Sequence, residues 1–327
     1  MLDRARAFVV DGDAPMPWKD VAGTLCAVAL PVILAISVLG QTGAAAFVAA
    51  LPAHLAAKHS GTHTALAVTL VTGLGGVLAL GSHPMSLMVA GVLSAICALG
   101  FRHGLSTPCL RALMTWCVFT GPILPADDKP LVLAVYLLAM SWSLLVTWAF
   151  GQSAETPQDR ESSPEYSLLF GIALGLGLVI SVDLGARLFG DHGFWFPLTF
   201  VILWIPPFGK LFSRTAKRTA GTIAGVVLAI IVTLAVEGMA WKLAIILAVL
   251  PLAFRILPLS YAGFTALLTL IILEALSIVS DVSALAVERL ASMFAAALLA
   301  VALGAASLAI VRRIKPEALD DLMEPDG

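Results

Sequence analysis

The sequence predicts an all-α integral membrane protein of about twelve transmembrane helices, built as two parallel six-helix repeats. Its 327 residues are 60% hydrophobic and only 12% charged, against about 25% charged in a typical soluble domain. Mean hydropathy is +0.98, and a single globular core cannot hide that much apolar surface from water. Apolar runs near the roughly 20 residues that a bilayer core demands recur along the whole chain. The basic residues between those runs favour one side of the membrane.

Residues 1–20 are expected to be a short cytoplasmic segment. Asp3, Asp11, Asp13 and Asp20 interrupt the basic Arg4, Arg6 and Lys19, and the first long apolar run starts only at Val21. A secretory signal peptide is built differently, so this segment is expected to be retained. Residues 21–152 carry six runs: Val21–Leu39, Ala44–Ala57, Thr64–Leu80, Met85–Phe101, Thr107–Leu124 and Pro130–Phe150. The polar stretch SAETPQDRESSPEY, residues 153–166, reads as a cytoplasmic linker. Residues 167–313 hold six more runs: Ser167–Phe189, Phe194–Phe208, Thr219–Val236, Trp241–Leu257, Ser260–Ser280 and Ala284–Ile310. Residues 314–327 read as a cytoplasmic tail. The second and eighth runs are short and carry prolines (Pro52 in one; Pro197, Pro206 and Pro207 in the other), so they are the runs least suited to a full crossing.

With the N-terminus in the cytoplasm and one crossing per run, fifteen of the nineteen Lys and Arg fall on the cytoplasmic side. Lys129, Arg187, Lys242 and Arg289 fall outside. Removing one crossing from either half would spoil that separation. The halves also resemble each other: Pro52 matches Pro197, Gly76 matches Gly225, and Gly100–Arg102 matches Ala253–Arg255. Both halves start from the cytoplasm, which makes the repeat parallel. Transporters often bind substrate at such a repeat interface.

The stretch FWFPLTFVILWIPPFGKLFSRTAKRTAGTIAGVVLA, with Trp195, Pro197, Leu198, Thr199, Pro207, Gly209, Arg214, Arg218, Gly221, Thr222 and Gly225 at the matching positions, resembles the hallmark of the fusaric acid resistance-like family, which includes the aromatic acid exporters. Arg289, in VERLASMFAAALLAVALG, resembles that family's Arg at the head of its last span. The first half would be a degenerate copy, with His59, His63 and Thr64 where the basic loop should be. The sizeable cytoplasmic domain of the larger exporters is replaced here by the short linker, so the chain looks like a compact, membrane-only relative. The resemblance implies a bacterial inner-membrane secondary transporter that exports small organic, especially aromatic, acids, driven by protons. A periplasmic adaptor protein and a second copy of the chain, as a homodimer, are the implied protein partners. A non-transporting scaffold or assembly subunit of an efflux or envelope complex is the alternative.

Several residue types bear on that chemistry. Arg recognises carboxylates through a planar, bidentate fork, which makes Arg214 and Arg218 candidate contacts for a small organic anion. The same cluster also serves as a topogenic anchor on the cytoplasmic side. Gly221 and Gly225 share a helix face and let a neighbouring backbone approach; Thr222 beside them either packs or offers a hydroxyl to substrate. Trp195 and Thr199 are further candidate substrate contacts, with Trp195 either stacking on a planar acid or belonging to an interfacial belt. Charges within spans are costly and mark function, so Glu274 and Asp183 are candidate proton carriers. Arg187 and Arg289 are the expected charge partners; Arg187, four residues after Asp183, could neutralise it structurally. His54 reads as a helix-packing residue or a proton carrier. Pro206 and Pro207 are expected to break the eighth run beside Gly209 and the basic loop, leaving backbone groups that need a cavity or protein partners.

A net charge of -2 gives nucleic acid no support as a partner. There is no Walker A pattern and no HExxH or GxSxG motif, so neither ATP hydrolysis nor an intramembrane enzyme is expected. Cys26, Cys97, Cys109 and Cys117 lie in or beside apolar runs without ligand spacing and read as packing residues. No cofactor or metal is expected.

Overall fold

The computed structural model describes residues 10, 12, 14–206, 208–236, 238–277 and 280–314. Arg4, Arg6, Pro207, Lys315 and the rest of the expected tail lie outside the described residues. The described residues form helices and no strand. They are α1 (Trp18–Thr24), α2 (Leu30–Leu39), α3 (Ala45–Ser60), α4 (Thr62–Ala79), α5 (His83–Arg102), α6 (Ser106–Trp116), α7 (Lys129–Ala149), α8 (Pro164–Leu188), α9 (Trp195–Leu203), α10 (Leu211–Ala235), α11 (Met239–Ile256), α12 (Tyr261–Leu276) and α13 (Val282–Ile314). A π-helical turn, Leu25–Ala29, joins α1 to α2. Among the described residues, eight segments are long and apolar enough to cross a membrane, and the chain is a multi-pass membrane protein.

That count is lower than about twelve for a geometric reason. Trp18–Ser60 is one continuous apolar segment, although Gly40, at φ 56°, turns the chain between α2 and α3. The fifth and eighth runs are corrected most. The fifth folds as the 11-residue α6 followed by a 3-10 turn at Cys117–Thr120. The eighth yields only the 9-residue α9. At 1.5 Å per residue these helices are about 16 and 13 Å long, short of the roughly 30 Å bilayer core. α12, with 16 residues, is a shorter apolar helix.

The described chain divides into two compact units. The larger comprises Gly23–Leu211 and the chain from Ala295 onward. Its centre is α3, whose Ala45, Ala46, Ala49, Ala50, Ala53, Ala56 and Ala57 are fully buried. Side chains this small let α7, α4 and α6 pack closely around it. A Cβ at Gly73 would strike the Tyr136 ring, and one at Gly76 the Phe119 ring. Tyr136 donates from its hydroxyl to the Thr69 carbonyl at 2.7 Å. The short helices α6 and α9 are almost wholly buried and pack on each other, with α8 covering α9.

The linker between the halves is pinned to the same unit by Asp159. Its carboxylate accepts from His59 Nε2 (2.7 Å), the Ser106 hydroxyl (2.9 Å), and the Thr107 amide (2.7 Å) and hydroxyl (2.9 Å). Asp159 thereby satisfies a free amide at the start of α6 from far away in sequence. Burial pushes this carboxyl up, but the bonds from His59, Thr107 and Ser106 outweigh it and hold the group below its usual range. The helix α8 then starts at Pro164, with Ser163 accepting from the Tyr166 amide at 3.3 Å.

The smaller unit comprises Met1–Ala22 and Phe212–Phe294. It contains α11 and α12 as an antiparallel hairpin, α10, and the start of α13. Ser260 caps α12 by accepting from the Gly263 amide at 3.0 Å. The chain ahead of α1 is held to the base of this hairpin. The Met16 amide donates to the Arg255 carbonyl at 2.8 Å, and the Arg255 guanidinium lies 4.4 Å over the Trp18 ring.

Candidate functional site

The basic cluster that reads as a loop in the sequence is helical. α10 begins at Leu211, so Arg214, Lys217 and Arg218 occupy its first two turns and continue without a break into Gly221, Thr222 and Gly225. A helix rather than a loop forms because Thr, Ala, Lys and Arg in SRTAKRTA sustain the backbone ladder with no glycine or proline to stop it. Arg218 is only 3% exposed, so it is an interior group and not simply an interfacial anchor.

α10 and α12 pack side by side and run in the same direction. A Cβ on Gly221 would meet the Ala262 carbonyl oxygen and come within 2.8 Å of Thr265 Cβ. One turn on, a Cβ on Gly225 would meet the Ala266 carbonyl oxygen and come within 2.6 Å of Thr269 Cβ. Further along, the Thr233 hydroxyl donates to Glu274 Oε1 at 3.0 Å. The glycines therefore bring the two backbones together and seat Thr222, Thr265 and Thr269 in the interface.

A polar cluster has formed at the N-terminal part of this contact. Arg218, Thr222, Thr265 and Arg289 are all buried, and Ser292 lies one turn beyond Arg289 on α13. Arg289 lies within electrostatic reach of both Arg218 and Tyr261, and Arg214 within reach of Tyr261. Of the residues singled out in the sequence, Arg214 and Arg289 thus both lie near Tyr261, and Arg218 lies near Arg289. The expectation that set Arg289 apart from Arg218, on the outer face, does not describe this arrangement. Arg289 lies inside the 33-residue α13, two turns from its start, and α13 meets α10 where Thr219 donates to Met293 Sδ at 3.3 Å. Arg218 Nε and the hydroxyls of Thr222 and Thr265 have no hydrogen-bond partner. Buried donors are rarely left unmade because each costs about 1–3 kcal/mol, so this cluster is suited to a ligand that accepts several hydrogen bonds and carries negative charge.

Glu274 sits nine residues beyond Thr265 on α12, about 13 Å along the axis. It has no solvent exposure. Its Oε1 is bonded to Thr233, while Oε2 has no hydrogen-bond partner. The cation near it is Lys242, 3.9 Å from Oε2, where the sequence pointed to Arg187 or Arg289. The hairpin explains this: Lys242 lies 18 residues before Ser260 and Ser277 lies 17 after it, so antiparallel packing of α11 on α12 brings them level. Lys242 Nζ donates to Ser277 Oγ at 2.7 Å, and Ser277 donates in turn to the Glu274 carbonyl at 2.9 Å.

The other candidates belong to the larger unit. Asp183 accepts from Arg187 Nε (3.0 Å) and Nη2 (2.9 Å) through one oxygen, and His83 Nε2 lies 3.0 Å from the same oxygen. The Asp183 side chain is 26% exposed and that of Arg187 69%, which is the geometry of a surface ion pair on one helix face. Trp195 and Thr199 are buried in α9, and the indole of Trp195 stacks on His192 with centroids 4.7 Å apart. α9 ends at Leu203, ahead of Pro206.

His54 is also buried there, and both ring nitrogens are bonded. The Thr147 hydroxyl donates to the Ser143 carbonyl (2.6 Å), so it accepts from Nδ1 (2.8 Å), and Nε2 accepts from Thr24 (2.9 Å). A neutral imidazole with a fixed tautomer fits helix packing. An open apolar cavity of about 280 Å³ in the same unit is lined by α4, α5 and α6, including Val71, Leu93, Cys97 and Cys109. Its lining includes no Asp, Glu, Lys or Arg.

Residues 168–303 match the family model described as fusaric acid resistance protein-like. The matched segment contains every residue of the α10–α13 cluster described above, and the resemblance read from Asp191–Val226 is borne out. A membrane transporter-like protein is what this family indicates. No curated protein and no solved structure shows a significant match to the chain.

Tyr261, Thr265, Thr269, Thr233 and Lys242 escaped the reading of the sequence. Tyr261, Thr265 and Thr269 repeat every four residues in an otherwise apolar stretch, a pattern that marks one polar helix face. Lys242 could have been found by folding the α11–α12 hairpin about its turn.

Proposed function

We propose that the protein exports small organic acids, aromatic ones included, across the bacterial inner membrane in exchange for protons. The observation that carries this reading is the buried Arg218–Arg289 pair, with unmade donors on Arg218, Thr222 and Thr265 between α10, α12 and α13. Two buried guanidiniums that repel each other are stabilised by an anion that enters between them. Arg214, farther toward the start of α10 and around the same Tyr261, is the residue an incoming carboxylate meets first. Glu274 carries the proton; its buried, half-satisfied carboxyl favours it over Asp183, which is already paired at the surface. Thr265 and Glu274 both meet α10 but lie about 13 Å apart along α12, so coupling proceeds by movement of α12 against α10 rather than by contact between acid and proton. Trp195 and Thr199, on α9 in the larger unit, are separate candidates for contact with the acid and are not assigned to this cluster. The matches between the halves support a parallel repeat, and cytoplasmic termini belong to the same reading. Self-association and a periplasmic adaptor follow from the family reading.

The test is uptake of a panel of aromatic acids by inverted membrane vesicles with an acidic lumen. Gradient-dependent accumulation in the parent, lost in Glu274→Gln, is expected. Accumulation of no acid at all would favour the scaffold reading, in which buried charge serves assembly alone.

A further inference from the structure

Lys242 is placed to do more than neutralise a neighbour. Its ammonium has two acceptors within reach of one small motion. It now donates to Ser277 Oγ at 2.7 Å and stands 3.9 Å from the unpartnered Oε2 of Glu274. A charge-assisted N–H···O bond is about 2.8 Å long, so a shift of roughly 1 Å would form the ion pair. The Lys242 side chain is 14% exposed and that of Glu274 0%, so the lysine also lies between the carboxyl and water. The groups that face Glu274 are Lys242 from α11 and Thr233 from α10, with Ser277, just past the end of α12, on its main-chain carbonyl. Among the described residues no second charged group contacts it.

We propose that Lys242 is the internal counter-ion of Glu274 and trades places with its proton at Oε2. This rests on the reading of Glu274 as the proton carrier. When a proton binds, an O–H bond forms at Oε2, the carboxyl is neutral, and the ammonium stays on Ser277 Oγ. When the O–H bond breaks, the proton leaves to water and Nζ moves onto the vacated Oε2. Lys242 keeps its charge and its protons throughout. The lysine lets Glu274 release a proton inside the membrane without leaving a bare buried carboxylate, which would be costly. It is a positioning residue for proton exchange, not a contact for the transported acid.

The test reads Glu274 directly. A hydrophobic carbodiimide modifies protonated carboxyls in apolar surroundings, and mass spectrometry of the full chain in lipid nanodiscs gives the modified fraction across pH. Glu274→Gln gives the background. An opposite charge within about 4–6 Å favours the ionised carboxyl by 1–3 pH units, so Lys242→Met should move the labelling midpoint to higher pH by about one unit or more. Lys242→Arg should restore it. Ser277→Ala removes the resting acceptor, so Nζ should spend longer on Oε2 and the midpoint should fall. A midpoint unmoved in both Lys242→Met and Ser277→Ala would overturn the inference; if Lys242→Met does not fold, Ser277→Ala alone decides it. Labelling needs no substrate. A shifted midpoint with no acid transport would therefore sink the exporter reading and leave the counter-ion pair standing.

Discussion

Replacing Gly225 by Ala should separate α10 from α12. The added Cβ would be 2.6 Å from Thr269 Cβ and would press on the Ala266 carbonyl oxygen. Ordinary contact between such atoms begins near 3.4 Å, so the helices must part by roughly 1 Å. The obstacle is backbone, and no rotamer change relieves it. Overpacking of this kind costs about 1–3 kcal/mol, offset by up to about 1 kcal/mol from the better helix propensity of Ala. A net loss of about 1–2 kcal/mol lowers the folded-to-unfolded ratio by about 5- to 30-fold. Equilibrium unfolding in mixed detergent micelles, followed by tryptophan fluorescence, measures it. Gly91→Ala in α5 is the matched control, because a Cβ there has nothing within 4 Å; it should be neutral or stabilising. If Gly225→Ala were as stable as Gly91→Ala, the close contact of α10 with α12 would be wrong, and with it the placement of Thr222, Thr265 and Glu274.

Other outcomes follow from the same geometry. Arg218→Gln should raise the KM for a carboxylate substrate at least tenfold with a smaller change in kcat, because it removes one of two buried cations; transport kinetics in vesicles would show an unchanged KM if the anion binds elsewhere. Thr147→Val should cost about 1–3 kcal/mol by stranding His54 Nδ1–H, measured by thermal unfolding, and should leave the pH profile of transport unchanged. The Asp159 carboxyl is held below its usual range, so the stability it lends is complete above the unfolded value near ~4 and is lost as pH falls through the lower folded value. The stability gap between the parent and Asp159→Ala should therefore be present at about pH 5 and should shrink below about pH 4. A gap independent of pH would mean the linker is not held through that charge.

The apolar runs made the membrane class and most helices legible. Leu39 and Ala44, the edges of the first two runs, bracket the turn at Gly40, because glycine and polar residues interrupt hydropathy there. The short eighth run was recognisable from its prolines. The fifth was not, since Thr107–Leu124 reads as a continuous apolar run and its early end, in a 3-10 turn, is set by packing. Glu274 stood out because charge within an apolar segment is costly wherever it falls, and Arg218 because it belongs to the basic cluster and the family pattern. Their partners were hidden. Charge counting assigns each basic residue to a side of the membrane from its position between runs, so it separated Arg218 from Arg289, which α10 and α13 bring together by running past each other. Tyr261 and Lys242 matter through neighbours on other helices, which no local pattern names.

Proton movement tied to the acid is the decisive observation. Purified protein would be reconstituted in liposomes carrying a lumenal pH dye and an acidic interior, and an aromatic acid added outside. The proposed exchange predicts acid-dependent alkalinisation of the lumen in the parent, and none in Glu274→Gln. Alkalinisation that is equal in the two, or absent from a folded parent for every acid tried, would contradict proton-driven export through Glu274.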